Sequence, residues 1–292
     1  MLYANQDMPE SMYSGISVYE VTMNIDLAKV ADIIKSVSHN EIIPKYRNLK
    51  KEEIECKTSD VDLVTVVDGN SEKELSSKLK KYIPTAAVLG EEGVFANPTD
   101  ADLVDNDGYV WIIDPLDGTK NFTENSEYFG VIVALLKNKE TVAGWIYTPI
   151  LGNMIMAEKG SGVYADNKKI TINQNRNIIT DFDMVYDFDH ANLPDFVRSL
   201  NFLWCSAVEY QWLLTGKADA GFFCGYLKPW DHTAGLFLHR EAGGYNAFWN
   251  GEPYNNRANP QQNNPLLLAP NADIWKELKK AIKYTPPQFQ IP

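Results

Sequence analysis

The chain has 292 residues, with 27 Lys or Arg against 39 Asp or Glu, for a formal charge of −12. Hydrophobic residues at 45% and charged residues at 23% are ordinary globular usage, which excludes a disordered chain and supplies a sizeable core. So acidic a balance argues against a nucleic-acid polymer or an anionic membrane as partner, since both need a basic face.

In chain order, Leu27, Val30, Ala31, Ile34 and Val37 recur at spacings of three and four, which predicts an amphipathic helix over Asn24–Val37. Leu63–Val67 is β-branched and reads as a strand, and Ser71–Glu74 is a capping box opening a helix that carries Leu75, Leu79 and Ile83. Asp68 therefore falls where strand hands over to helix. Ala86–Leu89 is a short strand running into Gly90-Glu91-Glu92-Gly93, and Tyr109–Ile113 is another, ending at Asp114-Pro115. Phe129–Leu136, Thr141–Tyr147 and Met154–Glu158 form a meander that Val163 and Tyr164 continue, with Gly160-Ser161-Gly162 as a hairpin turn. Val208–Leu214 reads as a helix stopped by Gly216, and Ala218–Phe223 as a strand. Asp231 caps a helix through Glu241 that Gly243-Gly244 ends, and a last helix covers Ala272–Tyr284. Strands and helices alternate without a βαβ rhythm, which favours layered α+β sheets over a doubly wound one. Patterning is weakest over about 167–195, so an N-terminal α+β part is expected over 1–165 and a C-terminal α/β part over 166–292.

Cys56, Cys205 and Cys224 are too few and too scattered for a disulfide framework, and they fit a reducing compartment. The longest apolar run, Tyr128–Leu136, is far short of the ~20 residues that span a bilayer. Met1-Leu2-Tyr3-Ala4-Asn5 lacks the basic and apolar regions of a secretory signal, so the expectation is a cytoplasmic protein.

The chemistry concentrates in Trp111-Ile112-Ile113-Asp114-Pro115-Leu116-Asp117-Gly118-Thr119-Lys120-Asn121-Phe122. A buried strand runs into two carboxylates three residues apart, and the proline between them stiffens the backbone. Two such carboxylates repel, and each needs a cation or a proton to sit comfortably. Gly118 and Thr119 add open N–H groups and a hydroxyl for an anion such as phosphate. A plain β-turn also accounts for these residue types. Three further acidic positions join them: Glu91 after Gly90, Asp68 at its strand end, and Asp231 in Trp230-Asp231-His232-Thr233-Ala234-Gly235. Singly, a solvated loop or a helix-start aspartate explains each one.

Together, DLVTVVD (62–68), GEE (90–92), WIIDPLDGTKNF (111–122), WDHTAG (230–235) and EAGG (241–244) resemble the inositol monophosphatase family of Mg²⁺-dependent, lithium-sensitive phosphomonoesterases. They stand in the family's order, and the similarity runs over roughly residues 25–270. The resemblance implies the layered α-β-α-β-α sandwich shared by inositol monophosphatase and fructose-1,6-bisphosphatase, and a homodimer. It implies that Glu91, Asp114 and the Leu116 carbonyl hold one Mg²⁺, that Asp114, Asp117 and Asp231 hold a second, and that Glu91 serves a third through water. Asp68 and Thr119 match the pair that orients the attacking water, and the N–H groups of Gly118 and Thr119 match the phosphate cradle. The implied reaction is hydrolysis of a small phosphate ester by metal-activated water, with Li⁺ as inhibitor and an inositol-1-monophosphatase-like substrate. Histidinol phosphatase, 3′(2′),5′-bisphosphate nucleotidase and fructose-1,6-bisphosphatase are the alternatives, with a non-catalytic member that binds a phosphorylated ligand as a further one.

Two places depart from the inositol-acting pattern. Trp204-Cys205-Ser206-Ala207 stands where those relatives carry GTAA or GSAA, and Cys224 falls near the position of their substrate-contacting glutamate. On the substrate side the resemblance therefore points to Asp117, Gly118, Thr119, Lys120, Ser206 and Cys224. Lys120 meets a second anionic group or faces solvent, and Lys228 offers the same pair of readings. Trp204, Tyr210 and Trp212 read as core, with room for one ring at the substrate pocket. His232 reads as a helix-surface histidine, and His39, His190, His232 and His239 lack zinc-site spacing.

Overall fold

The computed structural model describes residues 25–57, 63–174, 182–186, 191–200, 203–258 and 264–285. The readings that fall on Met1–Asn5, Asn24, Asp62 and His190, and part of the weakly patterned 167–195 stretch, lie outside the described residues.

The first helix, α1 (Leu27–Val37), is capped by Asp26, whose Oδ1 accepts from the Lys29 N–H at 2.9 Å, and it buries Val30, Ala31, Ile34 and Val37. A hairpin of β1 (Ile54–Cys56) and β2 (Leu63–Thr65) leads into α2 (Val66–Tyr82). This helix begins five residues before the expected Ser71. Thr65 is its N-cap: the hydroxyl accepts from the Val67 N–H at 3.1 Å, and the Asp68 carboxylate returns to the Thr65 N–H at 2.8 Å. The reciprocal cap draws Val66 and Val67 into the helix against their β propensity. Next come β3 (Ala87–Gly90), α3 (Glu91–Ala96), β4 (Tyr109–Asp117), α4 (Thr119–Thr123), β5 (Gly130–Lys137), β6 (Glu140–Thr148), β7 (Asn153–Glu158), β8 (Val163–Ala165) and β9 (Lys168–Ile170). Among the described residues β3 to β9 form one seven-stranded sheet in sequence order, parallel at β3–β4 and antiparallel from there on.

Beyond it the chain forms β10 (Phe182–Tyr186), β11 (Ala191–Asn192), β12 (Val197–Leu200), α5 (Ser206–Thr215), β13 (Ala220–Phe223), α6 (Pro229–Glu241), β14 (Tyr245–Phe248), β15 (Leu266–Ala269), α7 (Ala272–Ala281) and β16 (Lys283–Tyr284). The second sheet runs β12-β10-β13-β15-β14, and β11 pairs with β16. The last helix thus stops at Ala281, and Lys283–Tyr284 leave it to pair as a strand. Asp231 is not the cap of α6: Lys228 holds that place and Pro229 opens the helix, which suits a residue without an N–H.

Side-chain alternation sets the layers. On β4 and β5, Val110, Ile112, Ile132 and Ala134 pack with Val208, Leu213, Ala234 and Phe237 of α5 and α6. Their neighbours Trp111, Ile113, Val131 and Val133 pack on the opposite side with Val30, Ile34, Leu75 and Leu79 of α1 and α2. The second sheet repeats the pattern: Val185, Phe223 and Leu268 face the α5–α6 side, while Met184, Phe222 and Leu267 pack with Ile274, Trp275 and Leu278 of α7. The result is an α-β-α-β-α sandwich. Both faces of β4 are covered, which explains its unbroken apolar run.

Candidate active site

The end of β4 is where the fold meets the chemistry. The strand does not stop at Ile113 but continues to Asp117, with a register shift against β5: Asp114 pairs with Ile132 and Asp117 with Gly130. Three residues on one strand thus span two on the other, a bulge that contains Pro115, where a missing N–H is tolerated. In a regular strand residues three apart point to opposite faces. The extra residue cancels that, and both carboxylates turn the same way. α6 adds Asp231 from its first turn, and single oxygens of Asp114, Asp117 and Asp231 all lie within 4.8 Å of one another.

Each carboxyl is anchored. Asp114 Oδ1 accepts from the Leu116 N–H at 3.0 Å, and Asp114 hydrogen-bonds the Asp231 side chain. Asp117 Oδ2 accepts from the Ala207 N–H at 2.6 Å and from the Cys205 thiol at 3.0 Å, so it caps α5, which has no side-chain cap of its own. Burial, reinforced by the nearby charge of Glu91, holds the Asp114 carboxyl well above its usual range and pushes Asp117 up to about 6 and Asp231 up to about 7. Lys228 offsets part of that rise at Asp231.

Behind this trio lies a second layer. Asp68, 1% exposed, receives the Thr65 hydroxyl at 2.6 Å and lies 3.0 Å from the Thr119 hydroxyl, and burial pushes it up to about 7. The same Thr119 hydroxyl also reaches the Leu116 carbonyl at 2.9 Å. Gly118 precedes it with φ +83, a conformation that a side chain would strain and that lets the chain turn from β4 into α4. Glu91 and Glu92 open α3, whose Glu92 and Gly93 N–H groups both donate to Glu72 at 2.8 Å. A Cβ on Gly90 would stand 2.3 Å from that Glu72 carboxyl, so glycine here serves close approach rather than an unusual φ. Lys57 lies 3.1 Å from Glu91 and 2.6 Å from Glu92, and Lys228 lies 3.7 Å from Glu91.

A cavity of about 270 Å³ gathers Glu91, Asp114, Leu116, Asp117, Gly118, Thr119, Lys120, Ser206 and Asp231, with Trp204, Cys205 and Lys228 beside them. Asp68 reaches it through Thr119. Cys224 does not reach it: following Phe223, it packs in the cluster with Phe222, Leu267 and Trp275 on the α7 side of the second sheet. His232 is not on a helix surface either. It is 5% exposed, its Nδ1 lies 3.0 Å from the Tyr210 hydroxyl, and burial pushes it down to about 3, leaving it neutral.

Three participants were not legible as such in the sequence: Lys57, Asn121 and Glu209. Asn121 Nδ2 donates to the Tyr128 carbonyl at 2.8 Å and the Leu203 carbonyl at 2.6 Å, while Glu209 Oε1 accepts from the Leu203 N–H at 2.9 Å. Glu209 is fully buried and pushed up to about 8, and its charge in the mostly apolar Ala207–Leu214 is the signal that asks for a partner.

Comparison with known proteins follows the same outline. Residues 17–284 match the model described as the inositol monophosphatase family. The chain is 31% identical over 245 residues to a fructose-1,6-bisphosphatase/inositol-1-monophosphatase of Aquifex aeolicus, covering 79% of this chain and 87% of that one. It is 30% identical over 247 residues to human inositol monophosphatase 1, covering 80% and 86%. The structure superposes on that of an IMPase/NADP phosphatase complexed with Mg²⁺ and phosphate with a TM-score of 0.72 at 19% identity, covering 86% of this chain and 93% of that one.

Proposed function

The chain belongs to the inositol monophosphatase family, Mg²⁺-dependent phosphoric monoester hydrolases, and from that premise we propose that it hydrolyses a small phosphate monoester, in the manner of an inositol-1-monophosphatase, at the Asp114–Asp117–Asp231 cluster. The observation that carries this reading is the convergence of three carboxyls, Asp114 and Asp117 buried and Asp231 half-buried, with oxygens within 4.8 Å of one another. Side chains so placed are mutually repulsive unless protonated or bridged by a cation. The donors are hard oxygens, carboxylates with the Leu116 carbonyl alongside, which is the set Mg²⁺ prefers.

In this reading Glu91, Asp114 and the Leu116 carbonyl hold one Mg²⁺, Asp114, Asp117 and Asp231 a second, and Glu91 a weaker third. When bound, the metal neutralises charge on the ester and makes its water a competent nucleophile near neutral pH. The protein orients that water. The Thr119 hydroxyl has one proton and two acceptors in reach, Asp68 at 3.0 Å and the Leu116 carbonyl at 2.9 Å. Donating to Asp68, it leaves its lone pairs to accept from the water, and Asp68 takes up the released proton through it; an acidity near 7 suits that task. The N–H groups of Gly118 and Thr119 cradle the phosphate, with Asp117, Lys120 and Ser206 on the substrate side. The same reading expects Li⁺ inhibition and a cytoplasmic homodimer; no helix among the described residues is long and apolar enough to cross a membrane.

The test is phosphate release at saturating Mg²⁺ from myo-inositol 1-phosphate, histidinol phosphate, 3′-phosphoadenosine 5′-phosphate and fructose 1,6-bisphosphate, each with and without Li⁺. Metal-dependent, Li⁺-sensitive release from at least one supports the reading. Mg²⁺ binding with no release from any would instead make the chain a phosphate-ligand binder.

A further inference from the structure

The carboxylates act on the phosphate, and the alcohol that leaves is selected by the rest of the cavity wall. There the chain sets an indole. Trp204 lines the cavity beside Lys120, Cys205 and Ser206, and it is 43% exposed. Its backbone sits at φ +54, a region that bulky side chains avoid. Two polar groups hold the turn in place: the half-buried Asn121 donates to the Leu203 carbonyl at 2.6 Å from α4, and the buried Glu209 accepts from the Leu203 N–H at 2.9 Å from α5. The Lys120 ammonium lies 4.6 Å from the indole centroid. An aromatic residue kept in an unfavourable conformation, at a cavity mouth rather than in the core, is the kind of strain that folds retain at ligand sites.

We infer that Trp204 is a specificity-determining platform, and that the substrate is a phosphate monoester whose alcohol carries a flat heteroaromatic ring, a nucleoside being the simplest. The base stacks on the indole, and Lys120, whose ammonium lies over the ring, adds positive charge where an anionic ester approaches. A polyol has no π-face to stack on the indole and relies more on acceptors for its hydroxyls; Cys224, which falls near the position of such an acceptor in sequence, is buried on the far side of the second sheet. The inference rests on the phosphatase reading above and deepens it.

Adenosine 5′-monophosphate and ribose 5-phosphate present the same phosphoester bond with and without a base. Their kcat/KM values at saturating Mg²⁺ should differ by about tenfold or more in favour of the nucleotide, chiefly through KM, as expected for one stacked base. Trp204→Ala should bring that ratio close to one, whereas Trp204→Phe, which keeps a flat face, should preserve most of it. Melting curves of both variants check that they are folded, and the exposure of the ring makes this the expected result. A ratio near one in the wild type, or an unchanged ratio in Trp204→Ala, overturns the inference. If ribose 5-phosphate or myo-inositol 1-phosphate is hydrolysed without preference for the nucleotide, only the platform falls. If no ester is hydrolysed, the phosphatase reading falls and takes the platform with it.

Discussion

Burial, with the charge of Glu91 added, raises the proton affinity of Asp114, Asp117 and Asp231, so in the metal-free protein the cluster works against the fold. Asparagine at 114 can still accept from the Leu116 N–H but carries no charge. Asp114→Asn should therefore leave the metal-free protein at pH 8 as stable as the wild type or more so, by about 1 kcal/mol, while weakening Mg²⁺ binding at least about tenfold. Thermal melts in chelator and calorimetric Mg²⁺ titration read the two effects; a large loss of stability would mean that Asp114 is structural. The pH dependence follows from the same crowding. Asp68 and Asp231, at about 7, and Asp117, at about 6, keep protons in the folded state that the unfolded chain releases near its ordinary carboxylate range. Their contribution is full below that range and is lost as pH rises through about 6 to 7. His232 and His239, at about 3, act in the opposite sense, and their contribution completes as pH rises through about 6.5, so between pH 6 and pH 8 they offset only part of the carboxylate loss. Metal-free protein should thus melt lower at pH 8 than at pH 6, and a higher melting temperature at pH 8 would contradict the assignment. The carboxylates were legible because strand-end and turn residues announce themselves locally. Lys57 was not, because its partners Glu91 and Glu92 are 34 and 35 residues away and only the fold brings them together.

Elements were read well where one signal dominated. The apolar spacing of α1 and the Gly216 stop of α5, at φ +77, both hold. Errors arose where two signals competed. Val66-Val67 looks like strand, yet the Thr65–Asp68 cap makes it helix; Asp231 looks like a cap, yet Pro229 starts the helix two residues earlier. β14 and β15 were missed: buried short strands carry no alternation when both faces are covered. The contact of α5 with α6, which brings Asp231 to the site, depends on one glycine. A Cβ on Gly235 would lie 2.2 Å from the Tyr210 ring, which cannot retreat because it stacks on Phe223 at 5.4 Å and bonds His232. Gly235→Ala should cost about 1–3 kcal/mol and lower turnover as Asp231 shifts. Wild-type stability by denaturant titration would show that the two helices separate freely.

At the scale of the molecule, the α-β-α-β-α order was legible through the family motifs rather than through periodicity, which gives elements but not their stacking. What the motifs could not give is the wall outside them, Trp204 and Glu209, or the contact by which Asn121, inside WIIDPLDGTKNF, ties that wall down; these roles come from contacts across the sandwich. The whole chain should also register metal. A cation that binds the folded cluster and not the unfolded chain stabilises by mass action, so Mg²⁺ at a hundredfold excess over its dissociation constant should add about 2.7 kcal/mol. Thermal melts at pH 8 with Mg²⁺ or chelator measure it, and coincident curves would argue against a folded-state metal site.

The central claim is that one acidic cluster both binds the metal and hydrolyses the ester. Its most direct test is Mg²⁺-dependent phosphate release by the wild type and by Asp231→Asn, side by side, on the best ester of the panel. The account predicts saturable Mg²⁺ activation in the wild type, abolished by chelator, and a rate lower by about a hundredfold or more in the variant. Near-wild-type release from Asp231→Asn, or wild-type release indifferent to chelator, would contradict it.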